Sequence, residues 1–515
     1  MSSFEKYFDN TYRQLEPNVI DIQSLLQEEM TLVVGDFYGI QKFIFERLST
    51  KNASKVLRAK SAFVQIFTEY VTKYICHMFN IDEKYVLTQN AGKFEILVPQ
   101  KDIDLTPVQN QIDNYFIKNF FALSGMILAK KECQKNDFID SGSYRKLRES
   151  IATELETKKF QKFDLISTTP VLSYDNDIDN ATLCKICNIR KIENEHCPVC
   201  HTFIELGKKL SQEHKHELIS TKDLKIVFED GFETKIKLTS KIKSYILFKK
   251  AEEENYSLPA EFDDLAKASC KDSEVGIKAL GILKGDVDGM GKFLEESDVT
   301  QSFENFDLFS KTVDNFFSLY VPDIMKTKYP NTYTVFAGGD DLFLVGAWDE
   351  ILALAKEIRE EFKKFAKNKL SISFGIAIAK PTTPISYMAH HTEELLEDAK
   401  AIDEEKDAIS LFGETVKWQS YNEVHHTLYP KLEELKQDEL KTALLYRLLS
   451  FCDMSKNIDN DIKNTMWKSK LNYLFHRNMK KHEHLIGELD TVIEKNPKET
   501  KMVISEFIYK NRSAS

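Results

Sequence analysis

Two carboxylate clusters and one cysteine cluster are the places in this sequence where residue types and spacing could do chemistry. In LKGDVDGMGKFL, Asp286 and Asp288 close an apolar run and are followed by Gly289 and Gly291; in TVFAGGDDLFLV, Gly338, Gly339, Asp340 and Asp341 separate two short apolar arms. Carboxylates from a strand end and a neighbouring hairpin tip can share hard divalent cations, which take oxygen ligands and bridge to phosphates. Backbone N–H groups beside glycines can approach an anion. Together that is the equipment of two-metal nucleotidyl transfer. An acidic turn alone is ordinarily just solvated, so the weight rests on the two pieces occurring together. The third cluster, Cys184-x2-Cys187-x9-Cys197-x2-Cys200, has the spacing of two zinc knuckles. Four thiolates suit a closed, tetrahedral, structural zinc site with no open place for a catalytic water. His201 stands just outside the second knuckle and is the weaker ligand choice; a pair of knuckles also argues against redox chemistry.

The carboxylates need a frame. Apolar arms around Gly338 and Gly339 read as a β-hairpin, glycine supplying the positive φ that a tight turn demands. The run Leu280, Ile282, Leu283 reads as a strand ending at the first carboxylates and opening towards a helix. Leu370 to Ala379 (LSISFGIAIA) reads as another strand, with Gly375 inside it, and Glu393 to Lys406 (EELLEDAKAIDEEK) as a helix carrying Lys400. A lysine projecting from that helix over the hairpin can neutralise a triphosphate. In this order the pieces resemble the palm shared by nucleic-acid polymerases and GGDEF-type nucleotide cyclases, over roughly a quarter of the chain.

The bulk composition sets limits. A chain of 515 residues predicts two to four domains, and 42% hydrophobic with 29% charged residues is globular. The net charge of −11 argues against a surface that grips nucleic acid all over; nucleic acid must meet a local patch or be held by partner subunits. No apolar run approaches a membrane span, and no signal-peptide pattern precedes Met30. Of eight cysteines, four are clustered and Cys76, Cys133, Cys270 and Cys452 are scattered. That is metal-binding usage in a reducing cell and predicts the cytoplasm, without a membrane partner.

Along the chain, residues 1–30 have helical spacing of Leu15, Val19, Ile22, Leu25 and Leu26. GDFYGIQKF from Gly35 to Phe43 then aligns with GDVDGMGKF from Gly285 to Phe293, and GKFEILV from Gly92 aligns with GDDLFLV from Gly339. The offsets are nearly equal, 56 residues from Asp36 to Gly92 and 53 from Asp286 to Gly339. One duplicated fold explains both matches. The first copy places Lys93 and Phe94 against the paired Asp, and Tyr38 against Asp288, so it keeps the fold without the metals. A basic turn with Lys55, Arg58 and Lys60 precedes an amphipathic helix and is either solvated or a phosphate or RNA contact. LKIVFED and KIKLTS, within 205–275, suggest strands. The segment from Tyr429 onward reads as a helical bundle with lysine-lined outer faces. The expected fold is α+β: a degenerate ferredoxin-like palm over 1–135, a linker with the four-cysteine zinc module over 136–274, a second palm with GGDD over 275–418, and a C-terminal helical domain over 419–515.

A degenerate palm, a four-cysteine module, a GGDD palm and a helical C-terminal region, in that order, resemble the large subunit of type III CRISPR effector complexes. GDFYGIQKFIF with ASKVLRAKS looks like that family's first palm, CKIC…CPVC with Phe203, Leu206, Gly207 and Leu210 like its zinc module, and FGETVKW like the end of its second palm. The zinc-module details favour the Csm-like, III-A branch. The resemblance implies conversion of ATP to cyclic oligoadenylate messengers, switched on by target RNA. It also implies Mg2+ or Mn2+, structural Zn2+, crRNA and sibling subunits as companions. Many members begin with an HD nuclease domain. Here no His is followed by Asp and the first palm motif starts near residue 31, so this sequence is expected to lack that domain and not to degrade single-stranded DNA.

Carried onto these residues, the implied mechanism is attack of one ATP's 3′-hydroxyl on another's α-phosphate, with pyrophosphate leaving. Asp286, Asp340 and Asp341 hold the metals. The backbone from Val287 and Asp288 through Gly289, Met290 and Gly291, with Gly338 and Gly339, cradles phosphates, and Lys400 pairs with them. Ser373 and Lys406 stand at the margin of the site. Three other readings stay open here: a palm making another adenylate, such as AMP joined to S-adenosylmethionine; a catalytically silent scaffold of an RNA-guided complex; and a stand-alone signalling cyclase.

Overall fold

The computed structural model describes residues 3–45, 48, 53–90, 92–140, 142–162, 183–192, 195–210, 218–237, 248–250, 257–259, 261–270, 275–437 and 442–512. Residues 163–182 of the expected linker lie outside them.

Two mixed α/β layers carry the site. The first sheet is antiparallel: β1 (Met30–Tyr38), β2 (Val86–Asn90), β3 (Lys93–Val98) and β4 (Gly125–Cys133), in the order β2-β3-β1-β4. Two small pairs follow, β5 (Leu218–Ser220) with β6 (Lys235–Lys237), and β7 (Phe248–Lys250) with β8 (Ser257–Pro259). The second sheet holds β9 (Leu280–Asp288), β10 (Thr332–Gly338), β11 (Asp341–Ala347), β12 (Ser371–Ala379), β13 (Ala408–Leu411) and β14 (Glu414–Lys417), in the order β10-β11-β9-β12-β13-β14. Its first four strands repeat the order of the first sheet, as a duplicated fold requires.

The strand registers correct the sequence alignment of the copies by one residue. Asp36 pairs with Lys93 across β1 and β3, and Asp286 pairs with Asp341 across β9 and β11. Lys93 therefore stands where Asp341 stands, and Phe94 corresponds to Leu342. The repeat also extends further than the motifs. Helix Ser143–Phe160, expected in the linker, packs Tyr144, Leu147 and Ile151 against Leu32, Val34 and Ala129 of the first sheet. Its Lys159 reaches Asp36 at 2.9 Å.

Because strand side chains alternate, β9 serves two cores at once. Leu283 and Val287 face one core with Trp348, Ile351, Ile358 and Phe362 of helix Trp348–Phe365, whose apolar stripe recurs at helical spacing. Leu280 and Ile282 join the other core, shared with Val33 and Phe37 of β1 and Phe67 of helix Ala53–Met78. The same second face carries Lys284, Asp286 and Asp288 towards its open end. Helix Ile385–Lys400 lies over that face at close range. A Cβ on Gly375 would sit 2.4 Å from the Leu396 nitrogen and 2.6 Å from the Thr392 carbonyl oxygen, which gives the glycine of SFGIA its reason.

Several expectations change. Residues 1–30 form only short turns of helix, Ser3–Tyr7, Asn10–Leu15 and Ile22–Ser24. Phe8 stacks on Phe309 and Phe365, and Tyr12 meets Phe365 edge-on, so this segment packs against the second layer. LKIVFED makes no strand. It buries Leu224, Ile226 and Phe228 against helix Ala53–Met78, with Phe228 4.8 Å from Tyr70 between ring centroids: alternation here reflects an extended chain on a helix. The expected basic turn is instead the beginning of helix Ala53–Met78; its Arg58 is buried, donating to the Gly207 carbonyl and lying over the Tyr333 ring, and Lys60 donates to the Phe43 carbonyl. These two are internal ties rather than surface charge. The C-terminal part is helical (Trp418–Gln437, Thr442–Lys456, Trp467–Asn478, Ile486–Lys495, Pro497–Asn511) and continues the core around Trp348 through Phe507 and Ile508. No helix among the described residues is long and apolar enough to cross a membrane.

Candidate active site and cysteine centre

The carboxylates meet because two strands end at the same level. A two-residue turn, Gly339 and Asp340, joins β10 to β11, with Gly338 paired to Asp341 across it. Gly339 has φ +65° and open space around its Cβ direction, so backbone conformation alone demands glycine there. The turn is pinned at two points: the Asp340 carbonyl accepts the Val287 N–H at 3.0 Å, and the Gly339 N–H donates to Asp314 Oδ1 at 3.2 Å. Asp286 lies directly opposite Asp341, Asp340 is exposed at the tip, and Lys400 forms an ion pair with Asp286.

The electrostatics of this group are unbalanced. Burial pushes the Asp341 carboxyl up to about 8, with Asp286 and Asp340 adding to the rise and Lys284 opposing it. Burial also raises Asp286, against the pull of Lys400. For Lys400 burial works against the charge, yet Asp286 outweighs it and holds the ammonium protonated. Asp341 Oδ1 is buried and has no hydrogen-bond partner among the described residues. Three carboxylates, one with an orphaned buried oxygen, offer donors whose chemistry suits Mg2+ or Mn2+, although in this arrangement their oxygens do not converge within 4.8 Å as the cysteine sulfurs do.

Asp288 does something else. Its Oδ2 accepts from Ser371 and Ser373 at 2.8 and 2.9 Å and from the Asp407 N–H at 3.1 Å. Ser373 also accepts the Ala408 N–H at 3.2 Å, so both side chains bind the start of β12 to the start of β13. Lys406, expected on the helix, lies beyond its end at Lys400, in a loop where Lys406 and Asp407 both adopt left-handed backbone, φ +56° and +49°. Asp407 is fixed there by Arg359 at 2.6 and 2.7 Å, which outweighs burial and holds its carboxyl low. Gly289, at φ +67°, precedes helix Met290–Glu296; Gly289 and Gly291 are exposed, Met290 is half-buried and Val287 is buried.

Sequence reasoning did not identify Asp314, Ser371, Arg359, Asp407, Glu393, Gln41 or Lys284. Only Lys284 carried a signal: a lysine inside an apolar strand, in phase with the two aspartates that follow.

The second centre gathers Cys184, Cys187, Cys197 and Cys200, whose sulfurs lie within 4.8 Å of one another. Backbone N–H groups donate to two of them at 3.4 Å, Cys197 to Cys184 Sγ and Cys200 to Cys197 Sγ, a pattern that favours thiolates. Arg190 stands 3.9 Å from Cys187 Sγ and 4.0 Å from Cys197 Sγ, offsetting the charge of four thiolates, and binds the Asn119 carbonyl of helix Thr106–Phe120. The donor set fits tetrahedral Zn2+. His201 lies outside it and is exposed.

Residues 29–177 match the family model described as Csm1 subunit domain B, and residues 279–410 the one described as Cas10/Cmr2, second palm domain. Curated relatives are described as the CRISPR system single-strand-specific deoxyribonuclease Cas10/Csm1 (subtype III-A). That of Enterococcus italicus is 27% identical over 460 residues, covering 82% of this chain and 60% of the relative. That of Streptococcus thermophilus is 23% identical over 544 residues, covering 94% and 68%. The chain thus spans about 60–68% of the length of these relatives. Among solved structures, a Csm1–Csm4 cassette in complex with cA4 superposes with a TM-score of 0.67 at 20% identity, covering 94% of this chain and 70% of that one. A Csm1–Csm4 cassette in complex with pppApA gives 0.66 at 21% identity, covering 96% and 71%. These likenesses establish a shared fold.

Proposed function

We propose, for a chain whose homologues are the Cas10/Csm1 large subunits of subtype III-A CRISPR systems, that the GGDD site joins ATP molecules 3′ to 5′ into cyclic oligoadenylates within an RNA-guided effector complex. The observation that carries this reading is the orphaned Asp341 Oδ1, opposite Asp286 and beside Asp340. That a Csm1–Csm4 cassette has been solved with one ATP, and others with pppApA and cA4, supports the choice of nucleotide.

When bound, Mg2+ or Mn2+ lowers the pKa of the attacking 3′-hydroxyl and offsets charge developing on the α-phosphate. Asp286, Asp340 and Asp341 hold it. Lys400, held beside the acid cluster by its ion pair with Asp286, is placed to pair with the triphosphate. The backbone from Val287 to Gly291 and the turn at Gly338 and Gly339 line the phosphates, and Asp288, with Ser371 and Ser373, keeps the strand ends aligned. Lys406 borders this pocket from its pinned loop. Zn2+ at the four cysteines is structural, and the partners are sibling Csm subunits, crRNA and target RNA.

The test is mass spectrometry of products made from ATP by the assembled complex, with and without target RNA. RNA-dependent cyclic oligoadenylates are expected, and the Asp340→Ala, Asp341→Ala variant should lose several orders of magnitude in rate. Near-normal turnover by that variant refutes the catalytic assignment; a conjugated adenylate as sole product refutes the cyclisation.

A further inference from the structure

Lys284 is a buried cation beside the acid cluster. It shares a face of β9 with Asp286, two residues on, and lies opposite Phe343 of β11, while Asp341 lies opposite Asp286. Its nearest carboxylates on that face are therefore Asp286 along the strand and Asp341 on the diagonal, about 7–8 Å away between backbones, within the sweep of a lysine's flexible four-carbon stem. Yet among the described residues Lys284 forms an ion pair with neither. Its Nζ pairs with Glu393 of helix Ile385–Lys400. Set in the orientation its neighbours require, oxygen towards the Lys284 ammonium and nitrogen towards the Glu393 carboxylate, the Gln41 amide accepts from Lys284 and donates to Glu393 at 2.9 Å.

Gln41 comes from the other palm. It lies on helix Ile40–Phe45, in the motif that the first copy shares with the second. The same helix is seated by Phe45, whose ring lies 4.4 Å from Phe343 between centroids. Glu393 and Lys400 are two helical turns apart on one face, so the helix answers the strand charge for charge, Glu393 to Lys284 and Lys400 to Asp286.

We propose that Gln41 and Glu393 are positioning residues that hold Lys284 off the acid cluster, so that docking of the first palm sets how tightly the second palm takes a divalent cation. A buried carboxyl oxygen left without a hydrogen-bond partner is costly, and Asp341 Oδ1 is one that a nearby donor can satisfy. Without its two anchors, Lys284 swings to Asp341 and competes with the metal for that oxygen. The first copy thus retains a role in the metal site although it supplies no ligand. This rests on the reading that Asp286, Asp340 and Asp341 hold the metal.

Binding of Mn2+ to the assembled complex, read from the EPR signal of free Mn2+, tests it without turnover. Gln41→Met, close in size and half-buried, should weaken Mn2+ binding about tenfold, the scale of losing a group that orients a metal site. Lys284→Met should not weaken it, and Gln41→Met with Lys284→Met should recover the parent's affinity, because the competitor is gone. A purely structural role for the trio predicts the reverse, with Lys284→Met as harmful as Gln41→Met and no rescue in the pair; that result overturns the proposal, as does unchanged Mn2+ affinity in Gln41→Met. If Asp340→Ala, Asp341→Ala still binds Mn2+ like the parent, the metal assignment fails and takes this proposal with it. Loss of binding in that variant with no effect of Gln41→Met overturns the present proposal alone.

Discussion

Gly375→Ala places one methyl group between β12 and helix Ile385–Lys400. Its Cβ would lie 2.4 Å from the Leu396 nitrogen, 2.6 Å from the Thr392 oxygen and 2.8 Å from the Leu395 carbonyl carbon. All three are backbone atoms, so no side chain can turn aside. Ordinary carbon contacts begin near 3.5 Å, so the helix has to retreat by about 1 Å. Overpacking of this kind costs about 1–3 kcal/mol, and the backbone clash places this one in the upper half. Glu393 and Lys400 travel with the helix, and a misplacement of about 1 Å in a positioning element costs on the order of 100-fold in rate. Urea unfolding followed by tryptophan fluorescence reads the first effect, since Trp348 and Trp418 are fully buried around the second sheet; ATP turnover by the assembled complex reads the second. Gly487→Ala is the control. It lies in helix Ile486–Lys495 with nothing within 4 Å of its Cβ direction, and should be neutral or stabilise by up to about 1 kcal/mol. If Gly375→Ala unfolds within about 0.5 kcal/mol of the parent and keeps its turnover, the helix is not seated through that glycine.

Three further outcomes follow from the same geometry. Elemental analysis should find about one zinc per chain, and Cys197→Ser with Cys200→Ser should lose it and assemble poorly, since helix Pro198–Leu210 begins at that knuckle. With its folded-state carboxyl at about 8 against 3.8 unperturbed, Asp341 is about nine-tenths protonated at pH 7 in the metal-free protein. Mn2+ must expel that proton, so calorimetry in buffers of different ionisation enthalpy should show proton release that fades above pH 8, and affinity should fall about tenfold per unit below it. The sign for folding is opposite: the stability this proton lends the metal-free protein is complete below about pH 4 and is lost as pH rises through about 8. Lys93→Ala should keep turnover within about tenfold, because the residue opposite Asp36 supplies no metal ligand, whereas Asp341→Ala should lose several orders of magnitude.

What the sequence made legible is what repeats or clusters along it. The duplicated motifs predicted a second sheet like the first, and the sheet orders agree; the knuckle spacing predicted four converging sulfurs. Local pattern was weaker at the joints. Aligning by identity put Phe94 against Asp341, because Gly92 and Gly339 look equivalent although they occupy different places in their turns. EELLEDAKAIDEEK is a favourable helical sequence, but the chain leaves the helix after Lys400, where Arg359 captures Asp407 from 48 residues away. Asp314, Gln41 and Glu393 act through partners distant in sequence, and no window along the chain holds both members of such a pair.

The packing of the first fifteen residues has a consequence in time. Tyr12 donates to Glu361, 349 residues later, and the Asp9 N–H donates to the Phe365 carbonyl. At about 5–20 residues per second, a ribosome takes roughly 20–70 s to deliver those partners. For that interval Phe4, Phe8 and Tyr12 have no aromatic shelf to lie on, while the first sheet, complete by Cys133, can already close. This segment is therefore buried late, and the nascent chain carries an adhesive apolar stretch until residues 361–365 have been made.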